Sequence, residues 1–125
     1  MNQTETTLPQ LPAYTYRAHV VSVYDGDTFT INIDLGLGIS MNGQKIRLFG
    51  FNTPEVRGVE RPEGIPVRDY VRKMIEGRDV ILRTHRDKKG KYGRWLGEVF
   101  FQLGEDMHDL GTLLESQGFA QRVDY

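Results

Sequence analysis

Three short stretches carry residue types that can work on a phosphate. The first is Val23 to Ile33, VYDGDTFTINI. An Asp25-Gly26 pair between two alternating runs signals a hairpin turn. Counted in twos along the strand that follows, Asp27 shares a face with Phe29, Ile31 and Ile33. Burying an unpaired carboxylate is costly, so an acid at the end of an apolar row is paired, bound to a cation or left at a wet rim. On this stretch alone the solvated turn is the commoner outcome, and a cation ligand at the mouth of a barrel or sheet is the sharper one.

The second stretch is Arg47 to Glu55, RLFGFNTPE, where Asn52, Thr53 and Glu55 offer oxygen donors in close succession. Oxygen-only sets suit hard cations such as Ca2+ or Mg2+, although Asn-Thr-Pro is by itself a common turn. The third is Lys89 to Leu96, KGKYGRWL. Its basic and aromatic residues suit a phosphate and a stacked base, or else form a charged hairpin turn.

The elements that must position these residues follow from periodicity and punctuation. Runs at about Tyr16–Tyr24 and Asp27–Leu35 alternate and are rich in Val, Ile, Thr and Phe, which predicts a hairpin. Gly36, Gly38 and Asn42-Gly43 mark a second turn region, and a third strand is expected at about Lys45–Phe51. A charged loop with Pro54, Gly58, Pro62 and Gly64 comes next. A helix is predicted from about Pro66 to Glu76, with Pro66 in its first turn and Val67, Tyr70, Val71 and Met74 as the buried stripe. DVILRTH and RWLGEVFFQL read as two further strands around the basic turn DKKGKYG. A last helix is predicted at about Glu105–Gln117, with Met107, Leu110, Leu113 and Leu114 inward and Gly118 as its stop. Five strands with one helix after the third and another at the end describe an α+β, mainly β fold. The expected form is a five-stranded OB-type Greek-key barrel with flanking helices.

Composition narrows the function classes. A chain of 125 residues supports one core, expected at 15–125 behind a polar, Pro-containing, disordered lead-in at 1–14. With no cysteine, disulfides and thiolate metal sites are excluded, and His19, His85 and His108 fit no zinc spacing. No apolar run approaches membrane-spanning length. The first residues show neither a basic start nor an apolar core, so no secretory signal is read and a cytoplasmic location is expected. The net charge of -1 hides a basic middle. That total argues against a general nucleic-acid coat protein, while a basic middle permits a local phosphate-binding surface.

Taken together, DGDT at 25–28, RLFGFNTPE at 47–55, KYGRWL at 91–96 and LLESQGFA at 113–120 resemble the staphylococcal (micrococcal) nuclease family in order and rough spacing. The resemblance spans about Tyr16 to Ala120. It implies an OB-type barrel and a Ca2+-dependent phosphodiesterase acting on DNA and RNA. By this resemblance Asp27 binds the metal, Asn52 stands where a second metal carboxylate would be, and Thr53 offers a backbone carbonyl. Glu55 would orient or deprotonate the attacking water, Arg47 and Arg94 would hold the phosphate, and Lys91 and Tyr92 would touch the substrate's terminal phosphate.

Those roles are physically coherent. Phosphodiester hydrolysis builds negative charge around an in-line attack, and positioning with electrostatic stabilisation does most of the work. Asn52 is the main departure: an amide keeps one oxygen donor but removes a charge, so weaker Ca2+ binding is expected and Mg2+ or Mn2+ can serve instead. The expected partner is nucleic acid, with no membrane involvement and a monomeric chain. The alternative is a catalytically weak or inactive OB-fold module that binds single-stranded nucleic acid. A pure binder has no need of an acid facing the phosphate, which favours the enzyme. A partner-binding domain would need an exposed apolar patch, and no continuous run marks one.

Overall fold

The computed structural model describes residues 14–85 and 95–124. Strands β1 (Thr15–Asp25), β2 (Thr28–Gly36) and β3 (Ile39–Leu48) form an antiparallel meander. Strand β4 (Phe51–Asn52) leads through a 3-10 turn at Gly58–Glu60 into helix α1 (Arg61–Ile75). Then come β5 (Asp79–His85), β6 (Trp95–Leu103), β7 (Asp106–Asp109), α2 (Leu110–Ser116) and β8 (Gln121–Arg122). The large sheet runs β3-β2-β1-β5-β6-β7, and a parallel pairing of β3 with β6 closes its first five strands into a barrel. This is the OB-type α+β architecture that the periodicity predicts. Among the described residues no helix is long and apolar enough to cross a membrane. Residues 1–13 lie outside the described residues, and with them most of the lead-in expected at 1–14.

Inward rows from each strand fill the barrel. Phe29, Ile31 and Ile33 are all buried, and so is Asp27 at 7% exposure, so the row read in twos does face the core. Strand β1 departs from simple alternation. Register shifts between Val20 and Ser22, and between Val23 and Asp25, put both Val20 and Val23 inside although they are three residues apart. The end of α1 grips the bulged strand there: Glu76 accepts the Val23 N–H at 2.9 Å, and Arg72 donates to the Val23 carbonyl at 3.1 and 3.0 Å.

Three boundaries differ from expectation. The turn between β2 and β3 lies at Gly36–Gly38, with both glycines at positive φ, so β3 begins at Ile39 and Asn42-Gly43 falls within it. Helix α1 begins at Arg61, not Pro66; Pro62 takes the first turn and Pro66 lies inside the helix. Its buried face is Gly64, Val67, Val71 and Ile75, with Tyr70 and Met74 packed half-buried against the core. The last helix is shorter than predicted. Gly104 (φ +65) and Glu105 turn β6 back into β7, which leaves Met107 56% exposed instead of inward. Asp109 then caps α2, accepting from Gly111 N at 3.2 Å and Thr112 Oγ1 at 2.9 Å. The apolar period across Met107 and Leu110 is what a strand followed at once by a helix produces by chance.

Candidate active site

The turn from β1 to β2 and the loop after β3 meet at one rim of the barrel. Asp27 is held from three sides. Thr53 N–H donates to its Oδ2 at 3.0 Å, the Thr28 hydroxyl donates to its Oδ1 at 3.1 Å, and Arg47 Nη2 lies 3.5 Å from Oδ2. The first of these bonds ties the Asn52–Glu55 loop to the turn. Leu48 N–H donates to the Asp27 carbonyl at 2.8 Å and fixes the same approach from the backbone. Gly26 is required by this fit: a β-carbon there would stand 2.6 Å from Thr53 Oγ1 and 2.7 Å from Val67 Cγ1.

Arg47 is turned onto its own loop. Its Nη1 donates to the carbonyls of Leu48 at 2.9 Å and Phe51 at 2.7 Å, and its Nη2 donates to the amide oxygen of Asn52. Strand β8 clamps that loop by pairing Phe51 with Arg122 and Asn52 with Gln121. The Arg122 guanidinium sits 4.8 Å over the Phe51 ring. Glu55 follows on the exposed side, its N–H donating to Glu60 at 2.8 Å. Helix α1 passes so close that a β-carbon at Gly64 would overlap the Glu55 carbonyl oxygen.

These residues line one cleft of about 740 Å³, which holds Asp25, Asp27, Arg47, Asn52, Thr53 and Glu55, with Arg57, Glu60 and Glu63 at its mouth. Five acids and two arginines face it, so the described wall has an excess of negative charge. Of the residues singled out in the sequence, Asp27, Arg47, Asn52, Thr53 and Glu55 are brought together. Arg94, Lys91 and Tyr92 lie outside the described residues.

Asp25, a turn residue by sequence, is more than that. It is 6% exposed and accepts the Asp27 N–H at 3.1 Å. Burial, and then the neighbouring Asp27 charge, raise its pKa from 3.8 to about 7. The one signal in the sequence is that Asp25 alternates with Val23, but which face Val23 takes is set by the bulge.

The donor chemistry suits a hard cation in part. Asp25 and Asp27 are two crowded carboxyls, and Thr53 Oγ1 is buried with no hydrogen-bond partner among the described residues. The Asn52 oxygen is committed to Arg47. Among the described residues no three acids or histidines gather into a metal cage. Asp27 with Thr53, backed by Asp25, could therefore hold a divalent ion, with water completing an oxygen shell.

No family model matches the chain. It is 31% identical over 109 residues to the thermonuclease of Staphylococcus intermedius and 29% identical over 109 residues to that of Staphylococcus hyicus. Each match covers 85% of this chain and 59% of the relative. The chain is thus similar to thermonucleases over most of its own length. An uncharacterized protein of Methanocaldococcus jannaschii is 28% identical over 129 residues, which is 85% of this chain and 58% of that one. The chain thus spans less than two thirds of the curated relatives it matches. Among solved structures, the human TDRD1 extended Tudor domain, in complex with a symmetrically dimethylated peptide, matches with a TM-score of 0.49 and 15% identity. That match covers 86% of this chain and 58% of the other. The similarity to the staphylococcal thermonucleases is one of sequence, over 85% of this chain.

Proposed function

We propose that this thermonuclease-like domain hydrolyses phosphodiester bonds of DNA or RNA with little sequence specificity. One observation carries the reading: the Thr53–Asp27 bond folds the Asn52–Glu55 loop over the β1–β2 turn, so that Arg47, Asp27 and Glu55 share one cleft. In this reading Asp27 and Thr53 hold a divalent cation, Ca2+ by resemblance and Mg2+ or Mn2+ as substitutes. When bound, the ion supplies Lewis-acid stabilisation of the charge that develops on the phosphate. Arg47 binds and orients the phosphodiester through paired N–H donors, which requires it to release the Asn52 oxygen. Glu55 accepts a proton from the attacking water and later passes it to solvent. Arg94, Lys91 and Tyr92 complete the proposed phosphate contacts. In this reading the cleft engages the phosphate, and contacts to phosphate alone carry no sequence information.

A second reading, nucleic-acid binding without useful catalysis, is favoured by the same commitment of Arg47 to Leu48, Phe51 and Asn52. A degradation assay separates the two. Single-stranded DNA, duplex DNA and RNA are incubated with the protein in chelator, Ca2+, Mg2+ or Mn2+, beside Glu55→Gln. Metal-dependent cleavage that falls by orders of magnitude in the variant is expected. Nucleic acid bound but uncut under every ion would establish the binding module instead.

A further inference from the structure

A second concavity, of about 410 Å³, opens on the barrel wall away from the carboxyl pair. That volume lies within the roughly 300–1,000 Å³ of ligand pockets. Four ring systems face it, from Tyr14, Tyr16, His85 and Trp95, with Leu35 and Met41 between them. The topology assembles the patch from strands far apart in sequence, which is why no apolar run announces it. Tyr14 and Tyr16 share one face of the chain entering β1, Met41 lies in the segment of β3 opposite Ile33 of β2, and Trp95 opens β6. The rings remain accessible: Tyr14 is 69% and Trp95 43% exposed.

Two features fix the frame of the groove. His85 is fixed on both sides, stacked on Phe49 with ring centroids 3.9 Å apart and planes 9° from parallel, and with Nε2 2.6 Å from a Glu98 oxygen. Tyr14 has φ of +59, a conformation bulky residues seldom adopt. Its carbonyl is anchored by Thr84, which donates from N at 2.9 Å and from Oγ1 at 3.4 Å. Strain of this kind clusters at ligand sites.

Charge and position indicate the occupant. The sequence joining His85 to Trp95 carries Arg86, Lys88, Lys89, Lys91 and Arg94 against Asp87 alone. On the barrel, Ile46 pairs with Trp95 and the next rung pairs Arg47 with Leu96. The groove therefore adjoins the strand that carries Arg47 of the cleft. Exposed rings at the two ends of a basic stretch of sequence, His85 and Trp95, suit unpaired bases of a polyanion, because stacking is indifferent to sequence and duplex bases are not free to stack.

We propose that this groove binds bases of single-stranded nucleic acid, stacked on Tyr14, Tyr16 and Trp95, next to the cleft. The path of the strand between the two rests on the nuclease reading; binding in the groove does not. Trp95 is the only tryptophan in the chain, so its emission reports on the groove directly. The test titrates the full chain, in chelator, with oligothymidylate of about 12 nucleotides, within the ~4–16 that one OB fold spans. Quenching of Trp95 emission is expected, together with a rise in Kd of about tenfold in Tyr14→Ala, largely restored in Tyr14→Phe. A duplex of equal length should not quench. Oligomer that binds by anisotropy without changing Trp95 emission, or with the same Kd in Tyr14→Ala, overturns the proposal. So does Trp95 emission that is blue-shifted and shielded from iodide in the free protein, which would mean that the groove is already filled by the chain itself or by a second copy. Quenching without cleavage in the metal assay would remove the nuclease reading alone, and cleavage without quenching would remove the groove alone.

Discussion

Replacing Asp25 by Asn should stabilise the protein at neutral and alkaline pH in the absence of divalent cation. Asp25 is 6% exposed and lies against Asp27, and its carboxyl holds a proton to about 7 in the fold against 3.8 when free. A raised folded pKa means that the native state binds more protons than the unfolded chain between those two values. Stability therefore falls as pH rises from about 4 to 7 and then levels off. At about 1.4 kcal/mol per pH unit, ionising Asp25 in the folded protein costs about 4 kcal/mol above pH 7, and wetting of the rim lowers the expected gain to about 2–4 kcal/mol. Asn keeps the oxygen that accepts the Asp27 N–H and turns its amide hydrogens toward the Asp27 carboxylate. The assay is urea unfolding of both proteins in chelator at about pH 8 and pH 4. The gain should be full at the higher pH and fall to below about 1 kcal/mol at the lower. No gain at pH 8 would refute the crowded-carboxyl argument. An equal gain at both values would show that packing and not charge is responsible.

Three further outcomes are expected. Asn52→Asp adds a carboxylate where Arg47 now takes an amide oxygen and should tighten Ca2+ binding in a calorimetric titration; unchanged affinity would separate Asn52 from any cation site. Gly64→Ala drives a methyl group against the Glu55 carbonyl oxygen, so it should destabilise by about 1–3 kcal/mol and reduce cleavage more than its loss of stability explains, judged well below the melting temperature. Gly111→Ala drives a β-carbon into the Phe51 ring; a loss of about 1–3 kcal/mol in urea is expected, and a neutral result would refute the close packing of α2 on β4.

Much of the site is legible in the sequence because its parts are local. Asp27 can be placed on the core face since the β2 row keeps strict alternation through Phe29, Ile31 and Ile33. Arg47, Asn52, Thr53 and Glu55 can be grouped since they sit within one strand end and its loop. Asp25 cannot be placed, because a bulge just before it in β1 decides whether Val23 and Asp25 point in or out. The helix start at Arg61 is hidden by two prolines that both suit a first turn, and the close passage of Gly64 under the Glu55 carbonyl is a contact between separate elements.

The first hairpin, the motifs and the face on which Asp27 lies follow from periodicity and from residues close along the chain, and the expectation of an OB-type barrel follows from the five strands so counted and from the family resemblance. Other features exist only in the folded chain: which oxygens Arg47 occupies, the closure of Thr53 on Asp27, the clamping of Asn52 by β8, and the meeting of four rings at β1, β5 and β6 in one groove. The Arg47 bonds are short in sequence but depend on the loop conformation that β8 imposes, whereas the other three join residues far apart in sequence that only the folded chain brings together.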